Sequence, residues 1–272
     1  MMWQAKINKD NTMRIITQFL AVTFLVGLTA CSFLGGDKGP DVHALQIKAR
    51  KGDADAQYAL GNAFHSGIGV KKSEIEAVKW YRKAALHGNA EAQNNMGLAY
   101  LKGLGVKKDP AEATRWFHKA AEHGPATAQY NLGLAYAQGV GISENAEEAV
   151  KWYSKAADKG LADAQYKLGN AYYKGNGVDK DDAKAVSWWL KAAEQGHGAA
   201  QNNMGCAYYK GEGVAQDYVK SSVWFALAVD KGNPHAISNP DRKNAENAMT
   251  PAQRDEAKRL ITKWKQKYNS AS

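Results

Sequence analysis

KGLGVKKDPAEATRWFHKAAEHG, residues Lys102 to Gly124, brings two glycines and two lysines together just ahead of Asp-Pro-Ala-Glu, which reads as a helix start. Lysines and glycines before a helix can cradle a phosphate, because the first backbone N–H groups of the helix have no partner. The same residues can also serve only to turn the chain between two helices. The choice depends on whether the stretch occurs once.

It occurs five times. Tryptophan falls at 80, 116, 152, 188 and 224, always 36 apart, and glycine at 52, 88, 124, 160, 196 and 232. Ala-Gln recurs at 56–57, 92–93, 128–129, 164–165 and 200–201, and an aromatic at Phe64, Tyr100, Tyr136, Tyr172 and Tyr208. A fixed period of this length marks a repeat architecture, in which each unit buries its apolar face only against its neighbours. Across the copies the loop reads GIGVKK, GLGVKK, GVGISE, GNGVDK and GEGVAQ. Both glycines and one aliphatic (Val70, Val106, Ile142, Val178, Val214) persist, whereas the lysines do not. What persists is what a tight turn needs: positive φ and an apolar anchor. A phosphate loop would need Gly-Lys-Ser/Thr, which the chain lacks. The stretch is a turn.

Each copy reads as two helices. Ala56, Leu60, Ala63, Phe64 and Gly67 lie on one face of a 3.6-residue period, and Ala77, Trp80, Tyr81, Ala84 and Ala85 form a second stripe. The second helix opens at Ser73, Asp109, Asn145, Asp181 or Asp217, all preferred N-cap types. Glu76, Glu112 and Glu148 three residues later predict capping boxes, Pro110 takes a first helical position, and a glycine closes each second helix. A glycine inside the first helix (Gly61, Gly97, Gly133, Gly169, Gly205) costs about 1 kcal/mol relative to alanine. Its recurrence predicts close helix approach, with the tryptophan of the second helix as the expected partner.

A unit with AQ-x-x-(L/M)-G-x-x-(Y/F)-x-x-G-x-G-(V/I), followed in the first four copies by W-(Y/F/W)-x-K-A-A-x-x-G, resembles the Sel-one-like repeat, a relative of the tetratricopeptide repeat. The resemblance covers about Asp41 to Gly232. It implies an all-α fold, an α/α superhelical solenoid of five helix-turn-helix repeats (52–87, 88–123, 124–159, 160–195, 196–231), acting mainly by holding other proteins together, often in bacterial envelopes or during host contact. The fifth copy departs from the pattern at Leu227-Ala228-Val229. Solenoids need capped ends. Val42 to Gly52 aligns with the second half of a repeat helix, so 41–51 is expected to cap the first copy. Over 232–272, Pro234 and Asn239-Pro240 interrupt the pattern. Thr250-Pro251-Ala252-Gln253 predicts a capping box opening a last helix to about Tyr268, whose Leu260, Ile261 and Trp264 are expected to seal the core.

The N-terminal residues have a different character. Lys6, Lys9 and Arg14 precede an uncharged run from Ile15 to Ala30, the organisation of an export signal over 1–30. Met1 and Met13 both stand open as its start. Leu28-Thr29-Ala30-Cys31 is similar to the bacterial lipobox, which implies a lipid on the Cys31 thiol and a tether over 31–40. Ser32 after the cysteine favours the outer membrane, facing periplasm or surface. Removing Lys6, Lys9, Arg14 and Asp10 takes the net charge from +9 to +7. In an exported protein that surplus points to an acidic envelope polymer or partner, or simply to a solvated basic surface, and not to nucleic acid. With Cys31 lipidated, Cys206 has no disulfide partner within the chain.

Comparing copies separates structural positions from free ones. The other face of the first helix varies: Asp55, Ala59, Asn62, Ser66; Glu91, Asn95, Leu98, Lys102; Thr127, Asn131, Leu134, Gln138; Asp163, Lys167, Asn170, Lys174; Ala199, Asn203, Cys206, Lys210. In superhelical repeats this face usually lines the groove. The adjoining column Tyr58, Asn94, Tyr130, Tyr166, Asn202 adds aromatics and amides suited to a peptide or a glycan. The expected binding residues are therefore Tyr58, Asn94, Asn95, Tyr130, Asn131, Tyr166, Lys167, Asn202 and Asn203, facing a protein of the envelope, or peptidoglycan or an acidic polymer. The Lys83, Lys119, Lys155, Lys191 column reads as helix-dipole complement.

Little points to catalysis. The seven histidines show no metal-ligand spacing, and His118 and His123 diverge by about 140° around a helix. His-Glu-x-x-His, Gly-x-Ser-x-Gly and Ser-x-x-Lys are all missing. No metal or cofactor is expected. Some cysteine-rich relatives of the resembled family are described as penicillin-binding or weakly β-lactam-hydrolysing, but they carry a cysteine pair per repeat, which this chain lacks. Sequence alone thus favours a non-catalytic scaffold, with a β-lactam- or peptidoglycan-acting enzyme and a host-contact factor as alternatives.

Overall fold

A computed structural model describes residues 41–270, with side chains through Gln266. The export signal, Cys31 and the tether lie outside the described residues. All described secondary structure is helical, and the chain divides into two compact units at the Asn145–Ala146 junction. Unit one holds α1 (Val42–Arg50), α2 (Ala54–Ser66), α3 (Glu74–Leu86), α4 (Ala90–Lys102), α5 (Pro110–His123) and α6 (Ala126–Gln138). Unit two holds α7 (Ala146–Asp158), α8 (Ala162–Lys174), α9 (Asp182–Glu194), α10 (Gly198–Lys210), α11 (Tyr218–Asp230), α12 (Pro234–Ser238), α13 (Pro240–Ala248) and α14 (Pro251–Ser270). The helices pack in consecutive pairs as a helical solenoid.

The caps form largely as the sequence dictates. Ser73, Asp109, Asp181 and Asp217 each accept the N–H of the residue three on, at 2.8–3.3 Å. The predicted capping boxes at Ser73 and Asp109 close on one side only. The N-cap backbone N–H donates instead to the carbonyl of the recurring aromatic nine residues earlier, from Ser73 to Phe64 through Asp217 to Tyr208, at 2.8–3.0 Å. With that donor already satisfied, the glutamates turn to basic residues on their own helix: Lys79–Glu76 at 2.6 Å, Arg115–Glu112 at 2.9 Å and Lys151–Glu148 at 2.6 Å. The box at Thr250 is reciprocal. Gln253 N–H donates to Thr250 Oγ1 at 3.3 Å, and Thr250 N–H donates to Gln253 Oε1 at 2.9 Å.

The turn glycines have separate duties. The first of each pair closes the first helix in the left-handed region, at φ +62° to +78°. The second is also left-handed and additionally lies against the second helix of the preceding copy. A Cβ on Gly105, Gly141, Gly177 or Gly213 would meet the carbonyl oxygen of Glu74, Pro110, Ala146 or Asp182 at 2.0–2.3 Å, closer than any side chain tolerates. The turn therefore docks one repeat on the last. Gly124 departs from the expected left-handed cap, with φ −92° and ψ −162°. Pro125 follows it, and proline disfavours helical geometry in the residue before it.

Helices approach closely at the interior glycines, but the partner is not the tryptophan. A Cβ on Gly61 would lie 2.5 Å from the Tyr81 ring, on Gly97 2.5 Å from Phe117, on Gly169 2.5 Å from Trp189 and on Gly205 2.7 Å from Phe225. In each case the ring is the residue after the tryptophan. One residue is about 100° around a helix, so the two aromatics face different neighbours. The second packs within its own repeat. The tryptophan reaches back: Trp80 joins Ala49, Ala56 and Leu60, and Trp116 joins Ala77, Val78, Ala92 and Met96.

The outer edge of each indole is covered by the recurring lysine three residues on. Lys83, Lys119, Lys155 and Lys191 place their amines 4.3, 4.7, 3.8 and 3.8 Å from the ring centres of Trp80, Trp116, Trp152 and Trp188. These are cation–π contacts in addition to any dipole effect. The fifth copy has Leu227 there because α14 takes the lysine's place: Trp264 packs on Trp224 with ring centres 5.3 Å apart, and Leu227 is buried. Leu260 and Ile261 join the same core, so the C-terminal helix seals unit two.

The Ala-Gln pair also acquires a role. Gln57, Gln93, Gln129, Gln165 and Gln201 donate Nε2–H to the carbonyls of Ala49, Ala85, Ala121, Ala157 and Ala193 at 2.9–3.2 Å. Each glutamine reaches a last-turn carbonyl of the preceding helix, one of the groups a helix end leaves without an intrahelical partner.

Candidate functional site

The free face of the first helix differs between the two units. In unit one its middle positions are uncharged and internally bonded, with Asp55, Glu91 and Lys102 toward its ends. Tyr81 donates its hydroxyl to Asn62 Oδ1 at 2.8 Å, and Tyr58 lies beside it with ring centres 6.0 Å apart. Burial raises the Tyr58 hydroxyl pKa, opposed by its hydrogen bonds to Asn62 and Asn95. Asn131 donates Nδ2–H to Asn94 Oδ1 at 2.9 Å. Asn94, Tyr130 and Asn131 are 8, 3 and 2 % exposed, so these three expected groove residues are interior rather than groove wall. The Asn94–Asn131 bond shows why. It links one copy to the next, which places the two columns at a joint between repeats. Tyr58 and Asn95 remain partly exposed.

In unit two the face is more basic: Lys167 enters its middle, and Lys174 and Lys210 fill the column that holds Ser66, Lys102 and Gln138 in unit one. Asn170 Oδ1 accepts from Trp189 Nε1 at 3.0 Å and from Asn203 Nδ2 at 3.2 Å, which locks α8, α9 and α10 in register. One turn before Asn170 stands Lys167, half-buried, its amine pKa lowered chiefly by that burial. One turn after it stands Lys174, exposed, and Lys210 is its counterpart on α10. Tyr166 stacks on His197 with ring centres 4.7 Å apart. His197 caps α10: its Nδ1 accepts from Ala200 N–H at 3.1 Å, so Nε2 carries the proton donated to Asp163 Oδ1 at 3.3 Å. Asn202 Oδ1 accepts from Asn239 Nδ2 at 3.2 Å, and the same amide lies 3.3 Å from Cys206 Sγ. Asn239 belongs to the non-repeating C-terminal segment, so comparison of copies had no means of finding it.

Burial raises the Cys206 thiol pKa, the direction opposite to that of a nucleophilic thiolate. Among the described residues no group of three His, Cys, Asp or Glu side chains is placed to hold a metal ion.

The model of the Sel1 repeat matches the chain five times in succession, at 54–89, 90–125, 126–161, 162–197 and 198–233. The chain belongs to the Sel1 repeat family. Among solved structures, this Sel1 repeat protein is similar to a protective antigen of uropathogenic Escherichia coli displaying an SLR fold, at 35 % identity and TM-score 0.74 over 84 % of this chain. It spans 50 % of that structure's chain. A Sel1 repeat protein from Oxalobacter formigenes is similar at 36 % identity and TM-score 0.68, over 72 % of this chain and 80 % of that one. No curated protein matches. Sel1 repeat proteins are generally protein-interaction scaffolds.

Proposed function

We propose that this chain is a non-catalytic scaffold of the bacterial envelope, lipid-anchored through Cys31, that holds a segment of another envelope protein on the free face of its first helices. The observation that carries this reading is the division of labour within the repeat. The glycines, the two aromatics, the glutamine and the caps are all engaged in docking one repeat on another. The residues that vary between copies, partly exposed Tyr58, Asn95, Tyr166, Lys167, Asn202 and Asn203, supply aromatic rings and amides in the manner of recognition surfaces. Export and lipidation are supported by the N-terminal charge pattern and LTAC. The E. coli relative's standing as a protective antigen supports exposure of this protein to the exterior as well.

A photo-crosslinking residue introduced at Asn203 or Asn95 in living cells, against one at the exposed Lys79, tests the binding face. The expected result is a discrete adduct from the first two positions only, retained when Lys79→Gln is introduced and lost when Tyr58→Ala and Tyr166→Ala are added to the crosslinker-bearing chain, shown to be folded by circular dichroism. Adducts from Lys79 alone would place the interface on the second helices and end this reading. For the anchor, Cys31→Ser is expected to move the protein from the membrane to the soluble fraction; unchanged membrane retention would remove it.

A further inference from the structure

We propose that the free face of α8 and α10 in unit two receives an acidic polypeptide segment, with Lys167 and Lys174 binding carboxylates spaced three residues apart on an extended chain. The proposal rests on the scaffold reading above and specifies its ligand.

Many of the other lysines in this unit are provided for. Lys151, Lys180, Lys184, Lys220 and Lys258 sit 2.6–3.4 Å from Glu148, Asp182, Asp181, Asp217 and Asp255, Lys265 pairs with Asp230, and Lys155 and Lys191 lie over indoles. Lys167, Lys174 and Lys210 form no ion pair among the described residues. Their nearby carboxylates are engaged otherwise: Asp163 accepts from His197, and Glu212 accepts the Tyr173 hydroxyl at 3.2 Å. A half-buried lysine that forms no ion pair is costly, even with Asp163 near enough to favour its charge. Lys167 is held in that state by the Asn170 junction beside it, and Lys174 adds repulsion to the burial. An incoming carboxylate would relieve both.

The spacing selects the ligand. Lys167 and Lys174 are seven residues apart on one helix, about 10 Å along its axis. Three residues of chain in the extended polyproline II form, three per turn at about 3.1 Å rise, also cover about 9 Å and return to the same face. The amides of Asn202 and Asn203 and the Tyr166 ring lie alongside, suited to a peptide backbone and its side chains. No arginine stands on this face to grip phosphate in a bidentate fork, which favours carboxylates over a phosphate polymer.

Panning a random peptide library on the full mature chain tests this directly. Wild-type protein and the Lys79→Gln control are expected to enrich peptides with Asp or Glu at positions i and i+3. Lys167→Met with Lys174→Gln is expected to lose that enrichment and to weaken the selected peptides by about tenfold or more. Lys167→Met alone is expected to melt no lower than wild type, since a structural lysine would lose stability on removal and a binding lysine would not. Enrichment without acidic residues, enrichment unchanged in the double variant, or tighter capture of inorganic polyphosphate than of the peptides would each overturn the proposal. The double variant carrying the Asn203 crosslinker separates the two readings: an undiminished cellular adduct overturns the acidic ligand and leaves the scaffold standing, whereas absence of any adduct from the wild type removes the scaffold itself.

Discussion

The first-helix faces of the two units are built on one template and filled with different chemistry. In unit one, Tyr58, Asn62, Tyr81 and Asn95 satisfy one another, and Asn94 bonds to Asn131 across a repeat joint. In unit two, Asn170 ties three helices together, while Lys167, Lys174 and Lys210 have no internal ion pair. The supporting frame is the same in both: glycine against aromatic, glutamine to helix end, lysine over indole. A repeat fold can thus hold its backbone constant while its face changes from mildly acidic to basic, because the shared docking falls on the recurring glycines, aromatics and glutamines, and face residues such as Asn62, Asn131 and Asn170 only add bonds of their own.

If the frame is shared, disrupting it costs the same in either unit. Phe117→Ala and Phe225→Ala, both fully buried, are each expected to destabilise by about 3–5 kcal/mol in urea unfolding. A loss confined to one of them would break the equivalence. Gly105→Ala and Gly177→Ala force a Cβ onto a carbonyl at a left-handed residue, and each is expected to lose at least about 1–3 kcal/mol. Gly67→Ala, whose nearest neighbour is a side-chain carbon at 3.2 Å, should lose about 1–2 kcal/mol, from the left-handed backbone alone. Equal losses at Gly67 and Gly177 would show that the turn does not dock repeats. Gln93→Leu and Gln201→Leu remove one of two donors to a last-turn carbonyl, which keeps the N–H of Gly88 or Gly196, and are expected to lose about 0.5–1.5 kcal/mol. Lys191→Met removes a cation from Trp188 at a cost of about 0.5–1 kcal/mol, readable as a small drop in the denaturant midpoint.

The last comparison reverses sign. Lys167 has a folded pKa below its unfolded value of about 10.4, so its charged form opposes folding at neutral pH. The penalty is full below the folded pKa and disappears as pH rises past the unfolded one. Lys167→Met should therefore be at least as stable as wild type at pH 7, with the advantage narrowing toward pH 11. An advantage that widens with pH would contradict the burial of this amine.

Sequence by itself determined the helix pairs, the period, the turns and both ends. Those depend on residue types at fixed spacing: cap side chains three residues from their N–H, apolar stripes at helical period, glycine where φ is positive. Five copies of Gly-x-Gly with drifting lysines settled a turn against a phosphate site more firmly than any one copy could. The same comparison exposed which face was free to vary. Tertiary structure decided which atoms meet. The interior glycine faces the aromatic after the tryptophan, a choice set by about 100° of helix rotation that periodicity cannot resolve between adjacent aromatics. The N-cap N–H finds a carbonyl nine residues back before it can find a glutamate three residues on. Tyr130 and Asn131 look like groove residues in a variable column, yet they are buried where repeats join. Variation marks a position as free of one shared duty, and only packing reveals whether it faces solvent or the next repeat.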